Sequence, residues 1–254
     1  MNTICVRNDS RVDGIRSVKC DCTISARGQT VALPSHLRPR FLSGLTDSDL
    51  RSVLSASKHA RLSASSIVIH EGEAAERLFL LTSGHGRHFV LTRQGKKIPL
   101  HWLTPGQIFG AAAITATPID YLASTELLSD GCALIWSRPT IRRLVSKCPG
   151  LLDNALSIAV TEHLAWMLAT QMSLTSEDAR GRIAHLLMSL ATGIGIDTPD
   201  GIELQIKNED LAAAANVTPF TASRTLSRWQ RAGVVTKKRG RLVLRKPELL
   251  RLAV

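Results

Sequence analysis

Serine and arginine recur on one side of a short stretch near the C-terminus, Thr218-Pro219-Phe220-Thr221-Ala222-Ser223-Arg224-Thr225-Leu226-Ser227-Arg228. Phe220, Ser223, Arg224, Ser227 and Arg231 follow helical spacing and share one face, while Ala222, Leu226 and Trp229 make the opposite face apolar. A guanidinium fork on such a face matches the two acceptors on the major-groove edge of guanine. Lys237, Lys238, Arg239 and Arg241 follow around Gly240, where cations are placed to grip phosphates. These residues offer donors and positive charge, the chemistry of recognising duplex DNA. No Gly-x-Ser-x-Gly elbow, phosphate loop or His-Glu-x-x-His pair occurs, so an enzyme is not expected.

The flanking residues supply the elements that must hold that face. Asn208 is placed to cap a first helix, with Glu209 and Asp210 in its first turn, where the helix dipole favours negative charge. Leu211 and the alanines at 212–215 let this helix pack closely, and Asn216-Val217 makes a turn. Thr218 then caps a second helix with Pro219 at its first position, and Gly233 ends it. Val234 to Thr236 and Leu242 to Leu244 pair as strands behind. Two helices joined in this way resemble a helix-turn-helix, whose second helix reads bases, with the hairpin as a wing. Phe220 has two readings: contact with a thymine methyl, or packing against the wing.

With 254 residues the chain can hold two compact domains, and its formal charge of +11 favours a polyanionic partner. No apolar run is long enough to span a bilayer, and the N-terminus lacks the apolar stretch of a secretory signal. A cytoplasmic protein is expected. Five cysteines suit free thiols or a metal site better than a disulfide framework.

In chain order, residues 1–37 show no period and read as an irregular extension. A sensor domain is expected over 38–148. Its short apolar runs punctuated by Gly72, Gly84, Gly95, Gly106, Gly110 and Gly131 indicate an antiparallel β-roll or jelly roll. Residues 149–174 read as one long helix. Its Val160, Leu164, Met167, Gln171 and Leu174 alternate in steps of four and three, a coiled-coil-like seam for a symmetric dimer. Ser176 to Leu190 reads as a further helix and Gly193 to Gly201 as a loop, opening a C-terminal domain over 175–254. The fold class expected is α+β: roll, long helix, winged helix-turn-helix.

That order resembles the Crp/Fnr family of bacterial transcription regulators. The resemblance runs from about Phe41 to Leu244 and is carried by Gly72-Glu73, Ser83-Gly84, Thr104-Pro105-Gly106-Gln107-Ile108-Phe109-Gly110, Gly181-Arg182-Ile183-Ala184 and the helix from Val217 to Arg224. It implies a roll that senses a signal, a dimer that binds a pseudo-palindromic DNA site, and RNA polymerase as a partner. The family's recognition helix often carries Glu-x-x-Ser-Arg. Here Ser223 and Arg224 match, and Phe220 replaces the glutamate.

The same resemblance places a ligand pocket around Phe109, Gly110, Ala111, Ala112, Tyr121, Leu122, Ala123 and Ser124, with Trp166 and Met167 from the long helix. Cyclic-nucleotide-binding members carry a glutamate where Ala111 stands, and an Arg-Ser pair later in that loop. This chain has no arginine between Gly110 and Gly131, and a buried phosphate without a cation is costly. Ordinary cyclic AMP chemistry is therefore not expected, and the effector and any cofactor stay unidentified. An iron-sulfur cluster on Cys5, Cys20, Cys22 and Cys132 is a further reading that the resemblance admits, although Cys20-x-Cys22 is tighter than the family's spacing. His70, His85, His88, His101 and His163 are scattered, as surface or hydrogen-bonded histidines are. His163 is the one whose place on the long helix leaves a haem-ligand role open. Outside this class stands a ligand-binding oligomerisation module whose basic end meets RNA or acidic proteins. A single tyrosine, Tyr121, leaves little for base stacking.

Overall fold

The structure, a computed structural model, describes residues 33–34, 36–238 and 240–251. The chain divides into two compact units. One takes the residues up to His88 with Leu103–Ala159, the other Phe89–Trp102 with the chain from Val160 onward.

The β-roll is flanked by helices and makes up the first unit, apart from its stretch Phe89–Trp102, which groups with the second. Helix α1 (Asp47–Ser55) is capped by Thr46, which accepts from the Asp49 amide. Eight strands follow: β1 (Lys58–Leu62), β2 (Ile67–Ile69), β3 (Arg77–Ser83), β4 (Gly86–Leu91), β5 (Lys97–Leu103), β6 (Ile108–Phe109), β7 (Ser124–Leu127) and β8 (Gly131–Ser137). They form two four-stranded sheets, ordered β1-β8-β3-β6 and β2-β7-β4-β5, in which every registered pair is antiparallel. Helices α2 (Arg138–Lys147) and α3 (Gly150–Ile158) close the unit.

Strand β3 shows why the roll reads as an uninterrupted apolar run rather than an alternation. Successive side chains point to opposite faces. Leu78 and Leu80 join a core with Phe41, Val53, Trp136, Ile141 and Leu151, while Phe79 and Leu81 join a second with Ile69, Phe109, Tyr121 and Leu127. Both faces of the strand are therefore dry. Trp136 anchors the first core. It meets Phe41 edge-on at 6.3 Å, and its indole Nε1 donates to the Val53 carbonyl at 2.8 Å. Two hairpin ends touch at Gly84 and Gly131, where a Cβ on Gly131 would lie 2.2 Å from the Ser83 carbonyl oxygen.

The second unit departs from the sequence reading in four places. The long helix is not uniform: a π-helical segment, Ala159–Leu164, separates α3 from α4 (Ala165–Ser176). Exposed apolar residues then run Val160, Leu164, Leu168, Met172, with Met167 beside them; Gln171 is exposed too, and Leu174 is half-buried. The exposed apolar stripe thus takes in Leu168 and Met172 besides the expected Val160, Leu164 and Met167. Next, α5 (Ala179–Ile194) begins later than expected because Asp178 caps it, accepting from the amides of Arg180 and Gly181 at 2.9 and 2.8 Å. Third, the stretch expected as a loop, Gly193 to Gly201, holds a short strand, β9 (Ile196–Thr198), which pairs with β10 (Gly201–Leu204). Finally, Asn208 is not the cap of α6 (Asn208–Ala214). Lys207 holds that position, and the Asn208 side chain donates through Nδ2 to the Pro219 carbonyl at 3.2 Å instead.

Helix α7 (Pro219–Arg231), strands β11 (Val235–Lys238) and β12 (Arg241–Leu244) and helix α8 (Pro247–Arg251) complete the chain. The strands form a sheet ordered β11-β12-β10-β9. The expected class, a β-roll, a long helical segment and a winged helix-turn-helix, is the one observed.

Replacing Trp136 by Ala should lower unfolding free energy by about 3–5 kcal/mol, because it empties the first core and strips the buried Val53 carbonyl of its donor. Urea denaturation followed by circular dichroism measures this. A loss below about 1 kcal/mol would show that the core collapses around the gap.

Candidate nucleic-acid interface and sensor core

Helix α7 is set by its two ends and one buried face. Thr218 accepts from the Thr221 amide at 3.1 Å, Pro219 follows with no amide to lose, and Gly233 takes a left-handed φ of 69° just past the end. Ala222, Leu226 and Trp229 are buried. The opposite face is open: Phe220, at 74% exposure, does not pack on the wing. Its ring lies 5.9 Å from the Arg224 guanidinium carbon instead. That arrangement holds Arg224 beside an apolar plate. Ser223 and Ser227 are half-buried beside it, and Thr221, Arg228 and Arg231 complete the surface.

The wing is joined to this helix. Lys237 Nζ donates to Ser227 Oγ at 3.2 Å, and Arg245 Nε donates to Thr236 Oγ1 at 2.8 Å. Lys237, Lys238 and Arg241 are exposed on the hairpin, and Arg241 also pairs with Glu203 at 3.0 Å. Arg239 lies outside the described residues.

One positioning residue escaped the reading of charge and spacing. Arg182 donates through Nε to the Ala215 carbonyl at 3.0 Å, through Nη1 to the Glu177 carbonyl at 2.9 Å, and through Nη2 toward the Asn216 carbonyl at 3.4 Å. Asn216 carries the left-handed φ of 49° that makes the turn before α7. A single guanidinium therefore ties that turn to the junction between α4 and α5. Its signal in the sequence is only an arginine in the first turn of a helix, where a cation is unfavourable unless committed elsewhere.

In the roll, the expected pocket residues separate by burial. Phe109 stacks on Phe79 at 4.7 Å, Tyr121 is buried, and Ala112 packs against the same core. Gly110 has φ of 74°, and a Cβ there would lie 2.6 Å from the Arg77 carbonyl oxygen. Ser124 accepts from the Glu71 amide at 3.0 Å, whereas Ala111 is exposed and Leu122 stands out at 82% exposure. The chain's own groups hold this loop. Tyr121 donates its hydroxyl to the Arg77 carbonyl at 2.8 Å. Arg138 donates to the carbonyls of Ala113, Thr115 and Ala116, and Arg142 to that of Ile114. Nearby, Arg87 and Glu126 form a buried ion pair at 2.6 Å between β4 and β7, and His88 Nδ1 meets Thr125 Oγ1 at 2.9 Å.

In the second unit Trp166 is half-buried and Met167 exposed. The His101 ring on β5 lies 5.5 Å from that of Trp166 and 5.3 Å from that of His163. Burial, followed by the neighbouring His163, pushes the His101 pKa down from 6.5 to about 4, with Glu162 acting in the opposite direction. Of the cysteines considered for a cluster, Cys132 is buried in β8; Cys5, Cys20 and Cys22 lie outside the described residues.

Two domain families match this chain in sequence, the cyclic nucleotide-binding domain over residues 59–148 and the Crp-like helix-turn-helix domain over residues 181–253. The chain belongs to the Crp/Fnr family. Its relatives include the anaerobic regulatory protein of Bacillus subtilis, 26% identical over 84% of this chain and 90% of that protein. Another is the cyclic AMP receptor protein of Thermus thermophilus, 27% identical over 72% of this chain and 82% of the relative. Among solved structures, the fold matches the c-di-GMP responsive global regulator CLP of Xanthomonas campestris with a TM-score of 0.68 at 17% identity, over 78% of this chain and 99% of the other. It also matches FixK2 of Bradyrhizobium japonicum with a TM-score of 0.67 at 17% identity, over 78% and 96%.

As a Crp/Fnr member the chain is a DNA-binding transcription regulator with a cyclic-nucleotide-binding-type domain. No helix among the described residues is long and apolar enough to cross a membrane.

The depressed His101 pKa has a thermodynamic consequence for this Crp/Fnr chain. Between 6.5 and about 4 the unfolded chain binds a proton that the folded chain refuses, so stability should fall as pH falls through that window and level off below it. The effect is at most roughly 3 kcal/mol. Denaturation midpoints at several pH values should show a shallower slope for H101Q than for the unmodified chain. Parallel slopes would assign the pH dependence to other groups.

Proposed function

We propose that this Crp/Fnr regulator acts as a homodimer that places its two α7 helices in successive major grooves of a pseudo-palindromic site. Residues 38–148 sense, 149–174 pair the subunits and 175–254 read DNA. Thr218, Pro219, Phe220, Thr221, Ser223, Arg224, Ser227 and Arg228 form the reading surface, with Arg224 on guanine and Phe220 against a thymine methyl. Lys237, Lys238, Arg239 and Arg241 hold phosphates. The observation that carries this reading is the exposed Phe220–Arg224 face on a helix capped at its start and buried along its back. The exposed run Val160, Leu164, Leu168, Met172 supports pairing, since an apolar stripe open to water calls for a partner.

The signal read by the roll, in this proposal, is not ordinary cyclic AMP. Leu122 and Ala111 offer neither cation nor carboxylate, and Arg138 and Arg142 spend their donors on the loop's own carbonyls. RNA polymerase is the partner through which DNA binding acts, the cytoplasm the place, and no catalytic residue is assigned.

Footprinting of the full chain on genomic fragments tests the DNA reading, with two symmetric protected half-sites about one helical turn apart as the expected result. Arg224→Ala should cost about 1–3 kcal/mol at sites bearing the matching guanine and little elsewhere. An equal loss on every sequence would reduce Arg224 to a phosphate contact. For the sensor, calorimetry with cyclic AMP should give no binding heat up to millimolar nucleotide, and a micromolar isotherm would overturn that half of the proposal.

A further inference from the structure

The geometry points to a divalent transition-metal site, of the zinc, nickel or copper kind, formed by His101 of the β4–β5 hairpin and His163 of the π-helical segment. Two imidazoles bound to one such ion each hold it about 2.0–2.1 Å from a ring nitrogen, which at a tetrahedral angle sets the ring centres about 5 Å apart. The observed centroids are 5.3 Å apart, with the ring planes inclined at 51°. His163 is half-buried, whereas Nε2 of His101 is shielded from solvent, so the ion would lie at the edge of the hairpin with its remaining positions on the His163 side. Imidazole nitrogen is a ligand that these metals favour.

Two further features support the placement. Glu162, next to His163, carries a negative charge that His101 feels, which favours a cation. Both Glu162 and His163 belong to the wide turn Ala159–Leu164, and such turns are frequent at functional sites. Among the described residues no group of three metal-binding side chains stands assembled, so the site has two protein ligands and binds with moderate affinity. The ion would tie the hairpin to the helix that follows it in space. Its consequence for gating rests on the regulator reading above; the binding itself does not.

Binding is measured without DNA, so a failure here and a failure of DNA recognition are separate results. Nickel chloride titrated by calorimetry into the full chain should show one site per chain, weakened at least about ten-fold in H101Q and in H163Q. Nickel should also quench Trp166, whose ring lies 5.5 Å from His101, and W166F should remove the quenching without removing the binding. Where a glutamine variant changes the circular dichroism, the unmodified chain decides the matter by NMR. Paramagnetic nickel should broaden the His101 and His163 ring signals before those of the other histidines. Unchanged affinity in both variants, first broadening at other histidines, or no binding at all would each overturn the proposal, the first by assigning the metal to cysteine thiols.

Discussion

Burial of Leu226 and Trp229 sets the rotation of α7 about its own axis, and the DNA-binding end depends on that angle. A helix turns by about 100° per residue, so choosing which residues face the core also chooses which face water. With Ala222, Leu226 and Trp229 inside, Phe220 and Arg224 have nowhere to go but out. The Thr218 cap fixes where the helix begins, and Arg182 fixes the turn that leads into it. Charge adds to this frame and does not create it. The same arginines on an unanchored helix would bind phosphates without a preferred register.

The sensor half keeps the family's domain, and side chains of the chain itself fill its interior. A roll built on strands buried on both faces is stable without any ligand, because its cores are filled by Phe79, Phe109, Trp136 and their neighbours. The loop after Gly110 is likewise held by protein donors, two guanidiniums and a tyrosine hydroxyl, on its own carbonyls and those of Arg77. In a loop so held, a ligand has little order left to supply. That agrees with a chain whose match to the cyclic nucleotide-binding domain spans residues 59–148 while Leu122 projects into water. A fold does not by itself fix the chemistry of its site, since sites are grafted on folds.

The architecture was legible where one signal dominated. Glycine turns between short apolar runs announced the roll, and the two-faced pattern of 219–231 announced the reading helix. What the pattern hid were features set by contacts distant in sequence. Strands β9 and β10 are short, and β9 with the turn after it carries Asp197, Thr198 and Asp200, a composition that reads as loop until β12 is there to pair with β10. Asn208 looked like a cap because capping is a local rule, yet Pro219 eleven positions on claims its amide. The buried pair Arg87–Glu126 and the carbonyl clamps of Arg138 and Arg142 span 39, 25 and 28 positions, so no local spacing could reveal them. Of the expected sensor residues, Phe109 and Tyr121 are core, and hydrophobicity alone does not separate a core side chain from a pocket wall.

The π-helical segment follows from the same limit and changes how the exposed apolar stripe runs along the helix. Val160, Leu164, Leu168 and Met172 recur strictly in fours. A regular helix overshoots by about 40° at each such step, so three steps would carry the stripe a third of the way around. A wider turn undershoots, and placing it across Val160–Leu164 offsets part of that drift. The exposed stripe can then stay on one side of the helix. The same widening sets which residue of the segment meets the hairpin, and that residue is His163. One local irregularity thus serves two surfaces, an apolar stripe facing water and a histidine facing its counterpart on β5. A regular helix with this sequence would have to give up one of them.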